Sequence, residues 1–339
     1  MLPKQKTIVS IFFVALLLFA GCNLKKEVIL TGKTMGTNWR VKVVAGHFDN
    51  TEKLDKAIKK RLLEINQSMS LYDKESEICK LNAHRSLKKF HVSNDFLAVF
   101  KTGKKLYMET SGAWDATIRP LVNLWGFGDA EREKEVPDES NIKRRLFHVS
   151  FESVRILDNN FLVKTDPDVT LDFGSIAKGF GVDQVAGVIK ENGYSDLIVE
   201  IGGEVYASGR RLDGKNWRIG INMPDKNSSF NEVYKVITIS EKAVATSGDY
   251  RNFFEKQKKT YSHVIDPRTG RPVENGVVSV SVIAGSCTYA DGLATALMVM
   301  GHDKGIELVN KTKNVECLII VKEKDGTLTN YFSRNFNEE

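Results

Sequence analysis

A mixed α and β fold with extensive antiparallel sheet is predicted by three features of this 339-residue sequence. Short apolar runs recur along it, amphipathic runs of helical period stand between them, and Asp325-Gly326 joins two apolar runs as a hairpin would. In chain order, residues 28 to 44 read as strands interrupted by Gly32 and Gly36. Thr51 then reads as the N-cap of a helix with Leu54, Ile58, Leu62 and Ile65 on one face. A second helix starts near Asn94, uses Phe96, Val99, Phe100, Leu106 and Tyr107, and ends at Ser111-Gly112. A strand over Val169 to Phe173 feeds a helix running from Ser175 to Glu191, which Asn192-Gly193 stops. With a strand over Leu197 to Ile201 this makes a strand-helix-strand unit. Later strands are Val233 to Ile239, Val277 to Ile283, Val315 to Val321 and Leu328 to Phe332. Gly128 to Asn141 and Met223 to Glu232 read as exposed excursions. The length suits one large domain or two intimately joined lobes, and no fixed-period repeat is present.

Lys4 and Lys6 precede an uncharged run, Ile8 to Ala20, of the length of a secretory h-region and short for a bilayer span. The run closes on Leu18-Phe19-Ala20-Gly21-Cys22, which resembles the bacterial lipobox and makes Cys22 the expected lipidated first residue of the mature chain. An ordinary cleaved signal with no role for Cys22 is the alternative. Removal of residues 1–21 takes away Lys4 and Lys6 and lowers the net charge from +6 to +4. Lys59-Lys60-Arg61 and Lys256 to Lys259 read as solvated faces, so nucleic acid is not an expected partner. Cys79, Cys287 and Cys317 form no Cys-x-x-Cys pair, which argues against a zinc site or a disulfide framework and leaves room for one disulfide.

Chemistry concentrates in four places. Ser262 to Pro272 holds His263 with Arg268 and Arg271 in a Pro/Gly-punctuated turn, and Ala290 to Leu297 sets Asp291 and Thr295 four residues apart on one helix face. A base, anion-binding groups and hard oxygen ligands suit metal-assisted chemistry on a phosphorylated substrate. Asp172 to Gly179 ends a strand in glycine and opens a helix with Lys178 in its first turn, a setting for a pyrophosphate that lacks Walker A or Rossmann spacing. Ser111 to Gly128 brings glycines beside Trp114, Trp125 and Phe127, and Thr34 to Thr37 with Met69 to Tyr72 offers a thioether and a phenol for a ring pocket. Each place also has a structural reading: Ser175 as an N-cap with a snorkelling Lys178, the aromatics and Met35 as core, Thr288 and Asp291 as a capping-box-like pair, Thr295 as packed and His263 as a hydrogen-bonded strand residue.

Taken together, these segments occur in the order of a known family. Thr34 to Thr37, Met69 to Tyr72 with Ser76 to Ile78 and Leu81-Asn82, Gly112 to Gly128, Asp172 to Gly179, Ile201 to Glu204, Thr246 to Tyr250, Ser262 to Pro272 and Ala290 to Leu297 resemble the bacterial ApbE family of FAD:protein FMN transferases. The resemblance spans nearly the whole mature chain. It implies a single α+β catalytic domain over residues 22–339, T-fold-like, with two intimately packed lobes of antiparallel sheet and flanking helices. It further implies Mg²⁺-dependent transfer of the FMN half of FAD to a threonine hydroxyl of an acceptor flavoprotein, with release of AMP. By the same resemblance Asp291, Thr295 and the Ser175 carbonyl hold Mg²⁺. Met35, Tyr72, Ala113, Trp114, Asp115, Asp172, Lys178 and Ile265 contact FAD, and His263 takes the threonine proton. The implied protein partner is a membrane redox-complex subunit or a secreted flavoprotein, met at the periplasmic face where lipidated Cys22 anchors the chain. Two departures from the commonest pattern stand out: Trp114, where a smaller residue or phenylalanine is common, and Gly292, which lowers helix propensity by up to about 1 kcal/mol against alanine. Hydrolysis of FAD to FMN and AMP, and a lipid-anchored flavin carrier without turnover, are the competing readings. A Ser/His/Asp hydrolase using Ser247 or Ser262 is disfavoured, because neighbouring residues on a strand face opposite ways.

Overall fold

The computed structural model describes residues 24–128, 134–158, 160–225, 232–249, 252–257 and 259–336. Residues 1–21 and Cys22 lie outside that range, as does Tyr250. β1 (Lys25–Thr34) and β2 (Thr37–Gly46) pair antiparallel down to Thr34 opposite Thr37. Met35 and Gly36 are therefore a two-residue hairpin turn, with φ of 48° and 70°, the positive pair that matches strand twist. Gly32 does not interrupt β1, contrary to the sequence expectation. It lies beneath the Trp39 indole, where a Cβ would come within 2.5 Å of the ring nitrogen.

α1 (Glu52–Met69) buries Leu54, Ile58, Leu62 and Ile65 as expected, but Thr51 makes no capping bond and Asn50 Oδ1 accepts from the Glu52 amide instead. α2 (Glu77–Ala83) and β3 (Phe90–His91) follow, then α3 (Asn94–Glu109), capped by the Ser93 hydroxyl and stopped before Ser111 and Gly112. α4 (Arg119–Leu124), α5 (Glu139–Leu146), β4 (Val154–Leu157) and β5 (Phe161–Lys164) complete this half, with β3, β5 and β4 forming a small sheet.

The predicted strand over Val169 to Phe173 is not one. It pairs in no ladder: Asn82 Nδ2 donates to the Leu171 carbonyl at 2.8 Å, and Asn82 Oδ1 accepts from the Leu171 amide at 2.7 Å. One side chain thus does what a neighbouring strand would do. α6 (Ala177–Glu191) starts two residues later than expected and is followed by β6 (Leu197–Ile201), β7 (Glu204–Ser208), β8 (Trp217–Asn222), β9 (Val233–Ile239) and β10 (Lys242–Gly248). Short strands β11 (Phe253–Lys256), β12 (Lys259–Ser262), β13 (Ile265–Asp266) and β14 (Arg271–Pro272) lead to β15 (Val277–Ala284). α7 (Cys287–Met300), α8 (His302–Lys311), β16 (Glu316–Lys322) and β17 (Leu328–Phe332) close the chain.

Eight strands form one antiparallel sheet in the order β1-β2-β6-β7-β10-β15-β16-β17. Alternation splits its side chains between two faces, and on one of them Ala245, Val280, Val282, Cys317 and Ile319 pack with residues of α3 and α7. Trp39, Val41, Val43 and Ala45 pack with Leu54, Ile58 and Leu62 of α1 and Val182, Val185 and Ile189 of α6. On the other face Val44, Ala207, Val244, Ile283, Leu318 and Ile320 pack with Trp217, Ile221, Ile237 and Ile239 of the β8-β9 ribbon. A separate cluster of Leu121, Leu124, Trp125, Ile142 and Ile265 organises the β11–β14 region. Cys79, Cys287 and Cys317 are free thiols, so no disulfide joins the described cysteines.

Candidate active site

The site is organised by the crossing of α6 and α7. Gly179 makes the crossing close: a Cβ there would lie 2.3 Å from the Cys287 carbonyl oxygen and 2.8 Å from Asp291 Cβ. At this contact the Gly179 amide donates to Asp291 Oδ2 at 2.9 Å. The start of α7 is capped by Ser286 and, from α6, by the carboxylate of Asp183. That carboxylate accepts from the Cys287 and Thr288 amides at 2.8 and 2.9 Å and from the Ser286 and Thr288 hydroxyls. Asp291 is therefore no capping partner of Thr288; the cap is Asp183, 105 residues from Thr288 in sequence and not singled out by sequence reasoning. Its one local signal is an acid amid the apolar residues of α6.

Lys178, one residue before Gly179, donates to Glu204 Oε1 at 2.5 Å. Glu204 is 2% exposed, and its other oxygen has no hydrogen-bond partner. Burial works against the Lys178 charge, but the Asp291 and Glu204 carboxylates outweigh it and hold the ammonium above its ordinary pKa. Burial, reinforced by Asp291 and only partly offset by Lys178, raises the Glu204 pKa. Asp291, 3% exposed, is also raised, first by burial and then by Asp183, against the opposing pull of Lys178 and the Gly179 amide. Two buried carboxyls thus compete for one ammonium.

Around this centre the structure gathers several of the expected residues. Thr295, one turn along α7 and half-buried, shares a 3.0 Å hydroxyl contact with Ser247. Ser175 is not a cap: its hydroxyl accepts from Trp114 Nε1 at 3.0 Å. The Asp172 amide donates to the Ala116 carbonyl, and Asp172 Oδ1 accepts from the Gly174 amide, which ties the 113–117 turn to the approach of α6. Met35 lies over Gly181, where a Cβ would be 3.2 Å from its terminal methyl carbon. Ala113 and Trp114 are buried, and the buried Asp115 carboxylate is already engaged by the Thr117 amide and hydroxyl and the Phe151 amide. Burial nonetheless raises the Asp115 pKa. Tyr72 stands apart, 88% exposed in the loop between α1 and α2.

Gly103 and Gly292 make room for large buried neighbours. A Cβ at Gly103 would meet the Trp114 ring at 2.7 Å, and one at Gly292 would meet Leu106 at 2.3 Å while only touching the Trp114 ring nitrogen at 3.4 Å. Gly103 thus admits the indole, and Gly292 admits the Leu106 side chain beside it. Gly292→Ala is expected to lower the melting temperature despite alanine's better helix propensity, because overpacking by about 1–3 kcal/mol exceeds a gain of about 1 kcal/mol. Calorimetry showing a more stable alanine variant would refute this account.

His263 belongs to the aromatic cluster beside β12. Its Nδ1 lies 3.0 Å from the Asn252 carbonyl, which assigns the ring proton to Nδ1 and leaves Nε2 as the basic nitrogen. Phe127 meets its ring edge-on at 6.3 Å and packs on Phe254, which stacks on Tyr261; Ile265 is buried in the adjoining cluster. Burial lowers the His263 pKa, the Asn252 carbonyl opposes this, and Lys134 adds to the lowering. His148, Asp166 and Asp168 also come together away from the expected ligand set, with Asp168 paired to Arg85 and His148 Nδ1 lying 2.7 Å from Asp166.

A long antiparallel sheet covered by two crossing helices, with charged groups buried where they cross, makes a mixed α and β fold with a candidate active site at the crossing. Relatives of known class are transferases. An FAD:protein FMN transferase from Vibrio cholerae serotype O1 is 42% identical over 324 residues, covering 95% of this chain and 96% of that protein. One from Haemophilus influenzae is 38% identical and covers 96% of each. The solved flavin transferase ApbE from Vibrio cholerae superposes with a TM-score of 0.84 at 40% identity, over 92% of this chain and 99% of that one. The apo flavinyl transferase ApbE from Pseudomonas stutzeri gives 0.83 at 34% identity, over 91% and 95%. A model of the ApbE family matches residues 35–319, and the chain belongs to that family.

Proposed function

We propose that this protein moves the FMN moiety of FAD onto a threonine hydroxyl of an acceptor flavoprotein, with AMP as leaving group and Mg²⁺ as the assisting cation. The observation that carries this reading is the buried Asp291 carboxylate beside Lys178, with Thr295 one turn along the same helix. Asp291 accepts one hydrogen bond among the described residues, and its raised pKa marks a carboxylate short of positive charge. A hard divalent cation suits that setting, with the Thr295 hydroxyl and the Ser175 carbonyl as further oxygen ligands. When bound, Mg²⁺ neutralises charge on the pyrophosphate oxygens.

Lys178 supplies a fixed positive charge, 30% exposed, toward the phosphates. His263 Nε2 receives the proton of the acceptor threonine. The threonine oxygen then bonds to the phosphorus carrying riboflavin while the bond from that phosphorus to the bridging oxygen breaks, and the electron pair leaves with AMP. Met35, Ala113, Trp114, Asp172 and Ile265 are assigned to the FAD pocket, with Tyr72 swinging onto the ligand from its exposed loop. Asp115 is assigned a contact through its backbone, since its carboxylate is engaged within the turn. Lipidated Cys22 holds the enzyme at the periplasmic face of a membrane, close to redox-complex subunits or secreted flavoproteins.

The test is mass spectrometry of an acceptor domain after incubation with FAD and Mg²⁺. Covalent FMN on a threonine, with stoichiometric AMP, is the expected result; FMN and AMP released with no labelled acceptor would overturn the transfer. His263→Ala is expected to slow labelling about 10²- to 10⁴-fold. The lowered pKa of His263 keeps it neutral at pH 7, so the acid limb of the pH–rate profile should have its midpoint below the ordinary histidine value of 6.5. A midpoint above that value, or normal labelling by the alanine variant, would remove His263 from this role.

A further inference from the structure

We infer that Glu204 is a positioning residue that keeps the Lys178 ammonium off the Asp291 carboxylate and so leaves Asp291 open to a divalent cation. The inference rests on the cation site proposed above. Lys178 and Asp291 sit at the same helix crossing: the residue after Lys178 donates its amide to Asp291, and the Asp291 charge favours the ammonium alongside that of Glu204. Yet the ammonium makes its ion pair with Glu204 at 2.5 Å, and among the described residues no ion pair joins it to Asp291.

The β6-β7 hairpin makes that choice. Its turn residues Gly202 and Gly203 have φ of 64° and 110°, conformations glycine adopts without steric strain, and they deliver Glu204 as the first residue of β7. Gly202 also presses against the lysine stem. A Cβ there would lie 3.3 Å from Lys178 Cδ and 2.8 Å from Thr37 Cγ2, so the turn and the β2 start confine the side chain on the Glu204 side. Glu204 holds the lysine while its other buried oxygen goes without a partner, an arrangement that disfavours folding. A group kept at such expense for stability alone would be better replaced by an apolar side chain.

Without Glu204, the buried carboxylate left acting on Lys178 is Asp291. The ammonium would then occupy the carboxylate and compete with the cation. A different role for Glu204, as one more negative charge attracting the metal from a distance, predicts an effect independent of Lys178.

Manganese binding to the full mature chain, without flavin, separates the two. Mn²⁺ affinity is read by electron paramagnetic resonance of the free ion, and thermal unfolding of each metal-free variant checks that it is folded. Glu204→Gln is expected to weaken Mn²⁺ binding at least tenfold. Glu204→Asp keeps the charge but shortens the reach, and is expected to weaken binding similarly. In a Lys178→Met background, Glu204→Gln should change affinity less than twofold. Equal weakening by Glu204→Gln in both backgrounds, or Glu204→Asp binding as tightly as the parent, would overturn the positioning role and leave the cation site standing. Absence of Mn²⁺ binding by the parent protein would instead overturn the cation site, and the inference with it.

Discussion

Replacement of Asp291 by asparagine is expected to abolish FMN addition while leaving the metal-free protein at least as stable as the parent at neutral pH. Asparagine keeps the side-chain oxygen that accepts from the Gly179 amide, so the α6–α7 contact persists. What disappears is the buried charge. The folded-state pKa of Asp291 lies above its unfolded value of about 3.9, chiefly through burial. A carboxyl raised on folding binds more protons in the native state, so its ionisation destabilises the fold as pH rises from the unfolded toward the folded pKa. The asparagine variant escapes that loss. Urea unfolding in the presence of a chelator should therefore show little difference between the two proteins below about pH 4 and an advantage for asparagine at pH 7. Labelling at the parent rate, or a variant less stable at pH 7 than at pH 4 relative to the parent, would contradict the assignment of Asp291.

Gly179→Ala should damage both fold and activity. The added methyl would meet a backbone carbonyl of α7 at 2.3 Å, and a backbone cannot turn aside as a flexible side chain can. The helices must separate, at a loss of about 1–3 kcal/mol for overpacking. Separation also moves Asp291 away from Lys178 and Ser175. Because misplacement of about 1 Å can cost about 10²-fold in rate, labelling should fall by a larger factor than the stability loss implies. Calorimetry and labelling rates measured on the same preparation check this. An alanine variant with parental melting temperature would show that the crossing is looser than described.

Much of the fold was legible because periodic patterns are local. The faces of α1 and α3, the large-sheet strands at Leu197–Ile201, Val277–Ala284, Glu316–Lys322 and Leu328–Phe332, and the Asp325-Gly326 hairpin follow from residues close in sequence, whereas Glu204–Ser208 and Lys242–Gly248 were not read as strands. Misreadings arose where a distant side chain replaced a local partner. Val169 to Phe173 has strand composition, but its backbone bonds go to Asn82, Lys164 and Ala116, which no pattern within the segment announces. Thr288 and Asp291 have capping-box spacing, yet each is satisfied by α6. Glu204 appeared only as the end of a Gly-Gly-Glu run, since its burial depends on Lys178 meeting it across the fold. Short strands β11 to β14 carry too few residues for a period to emerge. Trp114 and Gly292 each have a packing partner that no local pattern announces, Gly103 for the indole and Leu106 for the glycine.

The Asn82 clamp gives the two sides of the site different mechanical character. On one side, the Met35-Gly36 and Gly202-Gly203 turns end hairpins whose strands share ladders of paired residues, so any single substitution is buffered by its neighbours. On the other, the chain entering Ser175 is held by isolated bonds, from Asn82 at Leu171, from Lys164 at the Val169 carbonyl and to Ala116 from the Asp172 amide. Substitution of Asn82 removes two of these at once, so a single codon there loosens the Ser175 side more than any one change loosens a hairpin.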